Sequence, residues 1–356
     1  MTPQDNASTT NRENSPYDLD RLAATIASLP GVACVGCGTI AHEMATALGL
    51  ANHQFVGAWS RTLAKTQAFC AQYGIARAYA DLDELLADPA VGVVYVATPH
   101  NTHHDYIRRA LLAGKHVFCE KSITLNAAEL DDVRALAAER GLQLVEGMTI
   151  YHMPLMVELR RRLDAGEFGR VNAVTLNFGS FKPYAPENRF FNPRLAGGAL
   201  LDIGVYALSM ARLFLDGTPT TVASTVTLAP TGVDEASGIV MRTESGQVAT
   251  ATLTLRSKQP KRAMVSCDKC YIEVMEYPRA HVAQITWTET GQQEVVDLGT
   301  TEHALTYEMA DLARAIEASD ADAAAALTRI GLTTDVSHIM TGLRQEWGVH
   351  YPGEQW

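Results

Sequence analysis

The stretch Gly36-Cys37-Gly38-Thr39-Ile40-Ala41 follows a short apolar run at 31–35 and opens a segment, 39–48, of helical character. A strand, a glycine turn and a helix in this order are the setting in which G-x-G-x-x-A binds a dinucleotide. Gly36 permits the tight turn, Gly38 lets a pyrophosphate approach the backbone, and Ala41 lets the helix pack on its strand. The N–H groups of Thr39 and Ile40 would then face the phosphates. Because glycines are common at strand-to-helix turns, the motif alone leaves a purely structural turn open.

The residues that follow repeat the alternation of strand and helix. Apolar runs at 54–59, 91–96, 116–119 and 142–146 predict strands, and the segments between them have helical character. The fold class predicted for this half is a doubly wound parallel α/β sheet. Ligands of such sheets bind beyond the carboxyl ends of the strands. Four segments should therefore surround one crevice, namely the glycine turn, Ser60-Arg61, the loop containing Thr98, Pro99 and His103, and Glu120-Lys121.

The pattern changes beyond residue 150. A helix near 155–165 precedes alternating strand-like runs at 171–178, 220–229, 236–243, 247–256, 262–266, 271–276 and 282–287, and helices at 303–318 and 321–345 close the chain. Strands joined by short turns predict a large, mostly antiparallel sheet. We therefore divide the chain into a polar tail and lead-in at 1–25, with 1–16 disordered, a dinucleotide-binding domain at 26–148, and a substrate-binding and oligomerisation α+β domain at 149–356.

Composition narrows the function classes. The formal net charge of −11, without a clustered basic tract, argues against nucleic acid as a partner. Residues 22–41 carry no charge, but Pro30-Gly31 interrupts them and acidic residues precede them, so we expect no membrane span or signal peptide and a cytoplasmic location. The six cysteines include two C-x-x-C pairs, Cys34/Cys37 and Cys267/Cys270. A metal between the first pair would obstruct the phosphates, so we expect no metal site and a hairpin with reduced thiols at the second.

The end of the second predicted strand indicates the cofactor. NAD-preferring domains usually place an acidic residue there to hold the ribose, but no acidic residue lies between Glu43 and Asp81. Ser60 and Arg61 occupy the place, with Lys65 one turn further on. A hydroxyl and a guanidinium suit a 2′-phosphate, so NADP is predicted, with NAD as the alternative.

Three residues are candidates for proton transfer. Lys121 ends a parallel strand, where the positive charge of an oxidised nicotinamide should lower its pKa. Asp202 and Tyr206 are spaced i, i+4 at the start of a helix, so they share one face. The phenol of Tyr206 would need Lys121 or the cofactor charge nearby to ionise more easily. In isolation each of these residues is also compatible with a structural role.

Together these motifs resemble the glucose–fructose oxidoreductase / inositol dehydrogenase / rhizopine catabolism (Gfo/Idh/MocA) family. The likeness runs from GCGTIA (36–41) through ATPHNTHH (97–104) and EKS (120–122) to AGGALLDIGVY (196–206) and Tyr351-Pro352. A tyrosine at 206 is most similar to the branch of the dimeric dihydrodiol dehydrogenases and NADP-linked xylose dehydrogenases. The resemblance implies a Rossmann domain followed by a mostly antiparallel open sheet, a homodimer or homotetramer formed through that sheet, and Lys121, Asp202 and Tyr206 as the catalytic set.

Two positions depart from the family pattern. The family commonly has Glu-Lys-Pro with a cis bond before the proline, whereas Ser122 stands here. Since a cis bond before another residue costs about 3 kcal/mol, a trans bond with a differently aimed Lys121 is the alternative. Cys267 and Cys270 occupy hairpin positions where the resemblance implies glycines.

The substrate side is less closely determined. Tyr151 and His152 follow the first domain directly and are predicted to face the crevice from the hinge, although His152 could equally be a core histidine. Arg189, with Phe190, could contact the ligand or order its loop. His103 could meet the nicotinamide ribose or cap its helix.

These observations predict an NADP-dependent oxidoreductase that transfers hydride between nicotinamide and a carbinol or carbonyl carbon of a sugar, cyclic polyol or dihydrodiol. Two alternatives stay open from the sequence. One is a redox-neutral glycoside hydrolase that keeps its cofactor bound, and the other is a non-catalytic NADP-binding sensor, which would have no need of all three proton-handling residues.

Overall fold

The first half of the chain builds a five-stranded parallel sheet. The computed structural model describes residues 17–317 and 320–354, so the predicted tail at 1–16 lies outside the described residues. The strand order is β2-β1-β3-β4-β5, which is the predicted doubly wound arrangement. The strands are β1 (Val32–Val35), β2 (Gly57–Trp59), β3 (Val93–Val96), β4 (His116–Glu120) and β5 (Leu144–Gly147).

Helices separate these strands as the sequence predicts. Strands β1 and β3 are buried along their whole length, because helices cover both faces of the sheet. An additional helix, α1, begins after Asp18, whose side chain accepts a hydrogen bond from the N–H of Asp20. The helices of this half are α1 (Leu19–Ile26), α2 (Thr39–Leu50), α3 (Leu63–Tyr73), α4 (Leu82–Ala87), α5 (His103–Leu112) and α6 (Ala127–Arg140).

The second sheet has eight strands in the order β13-β12-β11-β10-β6-β9-β8-β7. All neighbouring strands are antiparallel except β6 and β9, so the sheet is mostly antiparallel, as predicted. Helix α8 packs on β6 and β9 on one face of the sheet. The strands are β6 (Val171–Gly179), β7 (Thr220–Leu228), β8 (Asp234–Arg242), β9 (Val248–Thr254), β10 (Gln259–Cys267), β11 (Cys270–Met275), β12 (Val282–Trp287) and β13 (Gln293–Asp297).

The helices of the second half connect the two sheets. Helix α9 packs on α1 and α2, and α10 packs on α6, so the end of the chain returns to the half that contains the parallel sheet. The run Pro193–Phe214 is long and apolar enough to cross a membrane by composition, but 83% of that window is buried inside the protein. A core helix has this character. The helices are α7 (Pro154–Asp164), α8 (Val205–Phe214), α9 (Ala304–Glu317) and α10 (Asp320–Trp347).

Candidate active site

A cleft of about 1060 Å³ lies beyond the carboxyl edge of the parallel sheet, where it also meets residues of the second half. The glycine motif forms one wall. Gly36 has a φ of +102°, and a Cβ there would meet the carbonyl oxygen of Ala97 at 2.5 Å, so only glycine suits the position. A Cβ on Gly38 would have only that oxygen within reach, at 4.0 Å, which leaves the approach to α2 open. Helix α2 has no side-chain cap, and Thr39 and Ile40 at its first turn line the cleft. These features suit a pyrophosphate.

One end of the cleft is basic. Ser60, Arg61 and Lys65 all line it, and both cations are exposed. The Ser60 hydroxyl lies 2.8 Å from the Thr66 hydroxyl and donates to the Thr62 carbonyl oxygen at 3.2 Å, which fixes the turn before α3. This end of the cleft therefore offers positive charge and no carboxylate at the position after β2, as a 2′-phosphate requires.

The opposite end brings together Lys121, Asp202 and Tyr206. The Lys121 ammonium donates to the Asp202 carbonyl oxygen at 2.9 Å and lies 3.7 Å from Asp202 Oδ1. It also lies 4.6 Å from the centre of the Tyr206 ring. Asp202 belongs to a π-helical turn, Leu200–Gly204, that leads into α8, where Tyr206 is the second residue. The three groups form one cluster across the two halves of the chain.

The electrostatics of the cluster favour a charged Lys121 ammonium and a neutral Tyr206 phenol. Burial acts to lower the pKa of Lys121, but the negative charges of Tyr206, once ionised, and of Asp202 outweigh burial, so the pKa of Lys121 is raised. Burial raises the pKa of Tyr206 more than Lys121 lowers it, so the lysine alone does not make the phenol easier to ionise. Burial also acts to raise the pKa of Asp202, but Lys121 and Arg189 hold it below its usual range.

Ser122 joins the lysine loop to the helix that carries Tyr206. The Lys121-Ser122 peptide bond is cis, so the trans alternative does not occur in this structure. The Ser122 hydroxyl donates to the Leu201 carbonyl oxygen at 2.9 Å in a buried setting. On the other side, His100 Nε2 lies 3.1 Å from the Lys121 carbonyl oxygen. The backbone at Lys121 and Ser122 is thus held by hydrogen bonds to the turn before α8 and to the loop after β3.

Most of the predicted site residues line this cleft. Arg189 places Nη2 3.3 Å from Asp202 Oδ1, and its guanidinium lies 4.4 Å from the centre of the Phe190 ring. The structure fixes positions, whereas the roles of the residues stay predictions. The predicted residues that line the cleft are Gly36, Gly38, Thr39, Ile40, Ser60, Arg61, Lys65, Thr98, Pro99, Glu120, Lys121, Arg189, Asp202 and Tyr206.

Three predicted residues are not brought to the cleft. His103 is fully buried behind it, with its ring nitrogens 3.0 Å from the Ser122 carbonyl oxygen and 2.7 Å from that of Thr98, so it braces two loops. Tyr151 and His152 are buried because the turn Thr149–Tyr151 directs them into the core. There His152 Nδ1 lies 2.8 Å from Asp311 Oδ2, beside a separate small cavity.

The cleft also contains residues that the sequence did not single out. Arg279 comes from the turn Tyr277–Arg279, and its Nη2 lies 3.1 Å from Glu43 Oε2 on α2, so this ion pair joins the two halves. Lys261 pairs with Glu276 at 2.8 Å. Only His100 had a local signal, because it follows Pro99 in the predicted loop. The others reach the cleft through long-range packing. The cleft residues that the sequence did not single out include Glu43, His100, Phe178, Lys261, Glu276 and Arg279.

The second cysteine pair lies in a hairpin. Cys267 and Cys270 flank the two-residue turn between β10 and β11, which is the predicted hairpin. All six cysteines are free thiols. Within residues 17–317 and 320–354 there is no group of three or more His, Cys, Asp or Glu side chains placed to hold a metal.

Comparison with known proteins finds family models that match both halves of the chain. Residues 31–148 match the family model described as GFO/IDH/MocA oxidoreductase family, NAD-binding Rossmann fold, and residues 156–273 match the model of the GFO/IDH/MocA C-terminal domain. The mouse trans-1,2-dihydrobenzene-1,2-diol dehydrogenase is 31% identical over 68% of this chain and 73% of its own length. A Haloferax volcanii D-xylose 1-dehydrogenase (NADP(+)) is 36% identical over 57% of this chain and 62% of its own.

Solved structures share the fold at lower identity. A levoglucosan dehydrogenase in complex with NADH and levoglucosan has a TM-score of 0.79 at 17% identity, covering 89% of this chain and 97% of its own. A 3-ketoreductase from Actinomadura kijaniata with NADP and TDP-benzene has a TM-score of 0.76 at 22% identity, covering 89% and 98%. The mouse and Haloferax relatives are both dehydrogenases, so the glycoside hydrolase alternative is not favoured.

Proposed function

The chain is an NAD(P)-dependent dehydrogenase of the Gfo/Idh/MocA family, and on that basis we propose that it uses NADP and acts on a carbinol or carbonyl carbon of a sugar, cyclic polyol or dihydrodiol. The observation that carries the proposal is the single cleft that joins Arg61 and Lys65 at one end to Lys121, Asp202 and Tyr206 at the other. NADP bound along it would supply or accept the hydride. The dihydrodiol and xylose dehydrogenases among the relatives support the substrate class.

The proton chemistry follows from the states of the three residues. Because the pKa values of Lys121 and Tyr206 are both raised, both hold their protons near neutral pH. In the reductive direction Tyr206 can donate its proton to the developing alkoxide, and Lys121 stabilises the negative charge that remains on the phenol. In the oxidative direction Tyr206 must first release its proton to the solvent, and the phenolate, stabilised by Lys121 and by the positive charge of an oxidised nicotinamide, then accepts the hydroxyl proton. Ionised Asp202 holds the ammonium in position through both its side chain and its carbonyl oxygen.

The open face of the large sheet supports an assembly through a second copy of the chain. The registers align Val240, Thr250, Thr175, Met264, Glu273, Gln284 and Val295 in one row across seven strands. Val240 is 37% exposed and Val295 is 66% exposed, and exposed apolar side chains on a broad sheet favour association. We propose a homodimer or homotetramer that buries this face. The free thiols suit a cytoplasmic location, which we also propose.

A paired binding and turnover experiment tests the proposed function. Purified protein is titrated with NADPH and NADH, and is then incubated with NADP and a panel of sugars, cyclic polyols and dihydrodiols while NADPH absorbance is followed. The proposal predicts tighter binding of NADPH and net NADPH formation with at least one member of the panel. Hydrolysis of a chromogenic glycoside without net NADPH formation would contradict it.

A further inference from the structure

The segment 349–354, which follows α10, packs against the backbone that leads to Asp202. Tyr351 is 3% exposed, and its hydroxyl donates to the Gly197 carbonyl oxygen at 2.7 Å in a buried setting. Gly197 and Gly198 line the cleft and lie just before the π-helical turn Leu200–Gly204. The phenol of Tyr351 therefore fixes the backbone at the beginning of this turn.

Asp234, the first residue of β8, holds the same turn through a second contact. It is 0% exposed, and its Oδ2 accepts a hydrogen bond from the N–H of Leu200 at 2.6 Å. Gly198 has a φ of +127°, and a Cβ there would clash with Asp234 Oδ1, so the carboxylate packs directly on the glycine backbone. Burial raises the pKa of Asp234 to about 6, although the N–H of Leu200 opposes this. At pH 7 and above the carboxyl is therefore mostly ionised, and its bond to the turn is charge-assisted.

Glu354 connects Tyr351 to the loop that begins at Lys121. The Oε2 of Glu354 accepts from the N–H of Tyr351 at 2.9 Å, and its Oε1 accepts from Asn126 Nδ2 at 3.0 Å. Asn126 caps α6 at the end of the lysine loop. Arg344 of α10 is 0% exposed, donates to Glu354 Oε1 at 2.6 Å and lies 4.3 Å from the centre of the Tyr351 ring. A buried path of hydrogen bonds therefore joins the lysine loop to the π-helical turn.

The reacting groups depend on this turn for their mutual placement. Lys121 donates to the carbonyl oxygen of Asp202 within the turn, and Tyr206 is the second residue of α8, which follows the turn directly. A misplacement of about 1 Å in a reacting group can cost about 10²-fold in rate. Neither Tyr351 nor Asp234 lines the cleft, so an effect of either residue on turnover must act through the turn and not through contact with substrate.

We propose that Tyr351 and Asp234 are positioning residues, which hold Asp202 and Tyr206 at the distance from Lys121 that proton transfer requires. This inference rests on the proposed function, because it concerns the turnover that the function implies. Without either contact the turn can move relative to the lysine loop, and the approach of 4.6 Å between the Lys121 ammonium and the centre of the Tyr206 ring loosens. The basic end of the cleft lies outside this network, so cofactor affinity does not depend on it.

The turnover number of Tyr351→Phe tests the first contact, with Tyr307→Phe as the matched control. Both tyrosines are 3% exposed, and the Tyr307 hydroxyl accepts a hydrogen bond from the Thr300 N–H at 3.1 Å without lining the cleft. With NADP and a substrate from the panel, Tyr351→Phe should lose about 5- to 50-fold in kcat, whereas Tyr307→Phe should stay within about twofold of wild type. The dissociation constant for NADPH should stay within about twofold in both variants, assayed below the onset of their thermal unfolding.

The pH profile separates positioning from a general loss of stability. Burial raises the pKa of the Tyr206 phenol, and Lys121 opposes this. Among the other charged groups that act on the phenol, Glu120 and Asp202 raise its pKa and Arg279 lowers it. An ammonium that moves away no longer lowers this pKa as far. The rise of kcat with pH in the oxidative direction should therefore move to higher pH by about half a unit or more in the test variant and not in the control.

Asp234→Asn tests the second contact, because it keeps the shape of the side chain and removes its charge. It should reproduce the loss of kcat and the shift of the pH profile at unchanged NADPH affinity, and it decides the matter if Tyr351→Phe does not fold. A wild-type kcat and pH profile in either folded variant would overturn this proposal alone, and so would an equal loss of kcat in Tyr307→Phe. Absence of turnover by the wild type with every member of the panel would overturn the proposed function together with it.

Discussion

Arg61→Ala should reduce the preference for NADP over NAD without impairing the fold. Arg61 is exposed at the cleft end that follows β2, where no carboxylate stands to hold a ribose. Hydrogen bonds to charged groups contribute about 1.5–3 kcal/mol, and exposure with salt screening moves this site towards the lower end. We expect a loss of about 1–2 kcal/mol, which corresponds to NADPH binding about 5- to 30-fold more weakly. Binding of NADH should be unchanged, since it has no 2′-phosphate.

The assay is an equilibrium fluorescence titration of wild type and variant with NADPH and NADH at low and high salt. Arg108→Ala is the matched control, because Arg108 is an exposed arginine of α5 that pairs with Asp132 of α6 and does not line the cleft. The NADPH preference of the wild type should also decrease as the salt concentration rises. Equal affinity of the wild type for the two cofactors, or an Arg61→Ala variant weakened equally for both, would refute the reasoning.

Three further predictions concern stability and assembly. Ser122→Ala removes the buried hydrogen bond to the Leu201 carbonyl oxygen and should lower the free energy of unfolding by about 1–2 kcal/mol. The control Ser237→Ala should lower it less, because the buried Ser237 hydroxyl has no hydrogen-bond partner among the described residues. Equal losses of unfolding free energy in urea melts would count against the Ser122 contact. Burial raises the pKa of Glu146 to about 7. Between the unfolded pKa near 4.3 and pH 7, the folded state therefore holds a proton that the unfolded state has released. The free energy of unfolding should fall by up to about 1.4 kcal/mol per pH unit as the pH rises through this range. Glu146→Gln should flatten that slope in urea melts at pH 4.5 and 6.5, and an unchanged slope would argue against the buried carboxyl as its source. Light scattering at micromolar concentration should find a dimer or tetramer that Val240→Lys with Val295→Lys dissociates; a monomeric wild type would rule the assembly out.

The parallel half of the fold could be predicted because its signals are local. A near-continuous apolar run such as 91–96 and the glycine turn at 36–38 each specify their own element. Strand β13 was missed because Gln293, Glu294 and Asp297 leave it with little apolar alternation at the edge of the sheet. The cap at Asp18 begins α1 inside what the sequence indicated as a polar lead-in.

The candidate site likewise contains residues that local motifs predict and residues that only long-range packing brings to it. Lys121 and Tyr206 lie in motifs whose spacing is visible in the sequence, and the structure brings them together. Arg279 reaches the cleft only because the turn Tyr277–Arg279 packs beside the first half, where Arg279 pairs with Glu43, and no local pattern encodes that. Tyr151 and His152 follow β5, the last strand of the parallel sheet, as their place in the sequence indicates. The direction of their side chains depends on a single helical turn and on the partner Asp311.

The most direct test of the central claim is the turnover number of Tyr206→Phe, of Lys121→Ala and of the double variant, measured with NADP and a substrate found in the panel. If both groups act on the transferred proton, each single variant should lose about 10²- to 10⁴-fold in kcat. The double variant should be little worse than either, because residues that act as one unit are not additive. NADP affinity of Tyr206→Phe should stay within about twofold of wild type, since the phenol serves the substrate side. A nearly fully active Tyr206→Phe beside an inactive Lys121→Ala would contradict the role of the phenol, and activity retained in both would contradict the catalytic assignment itself.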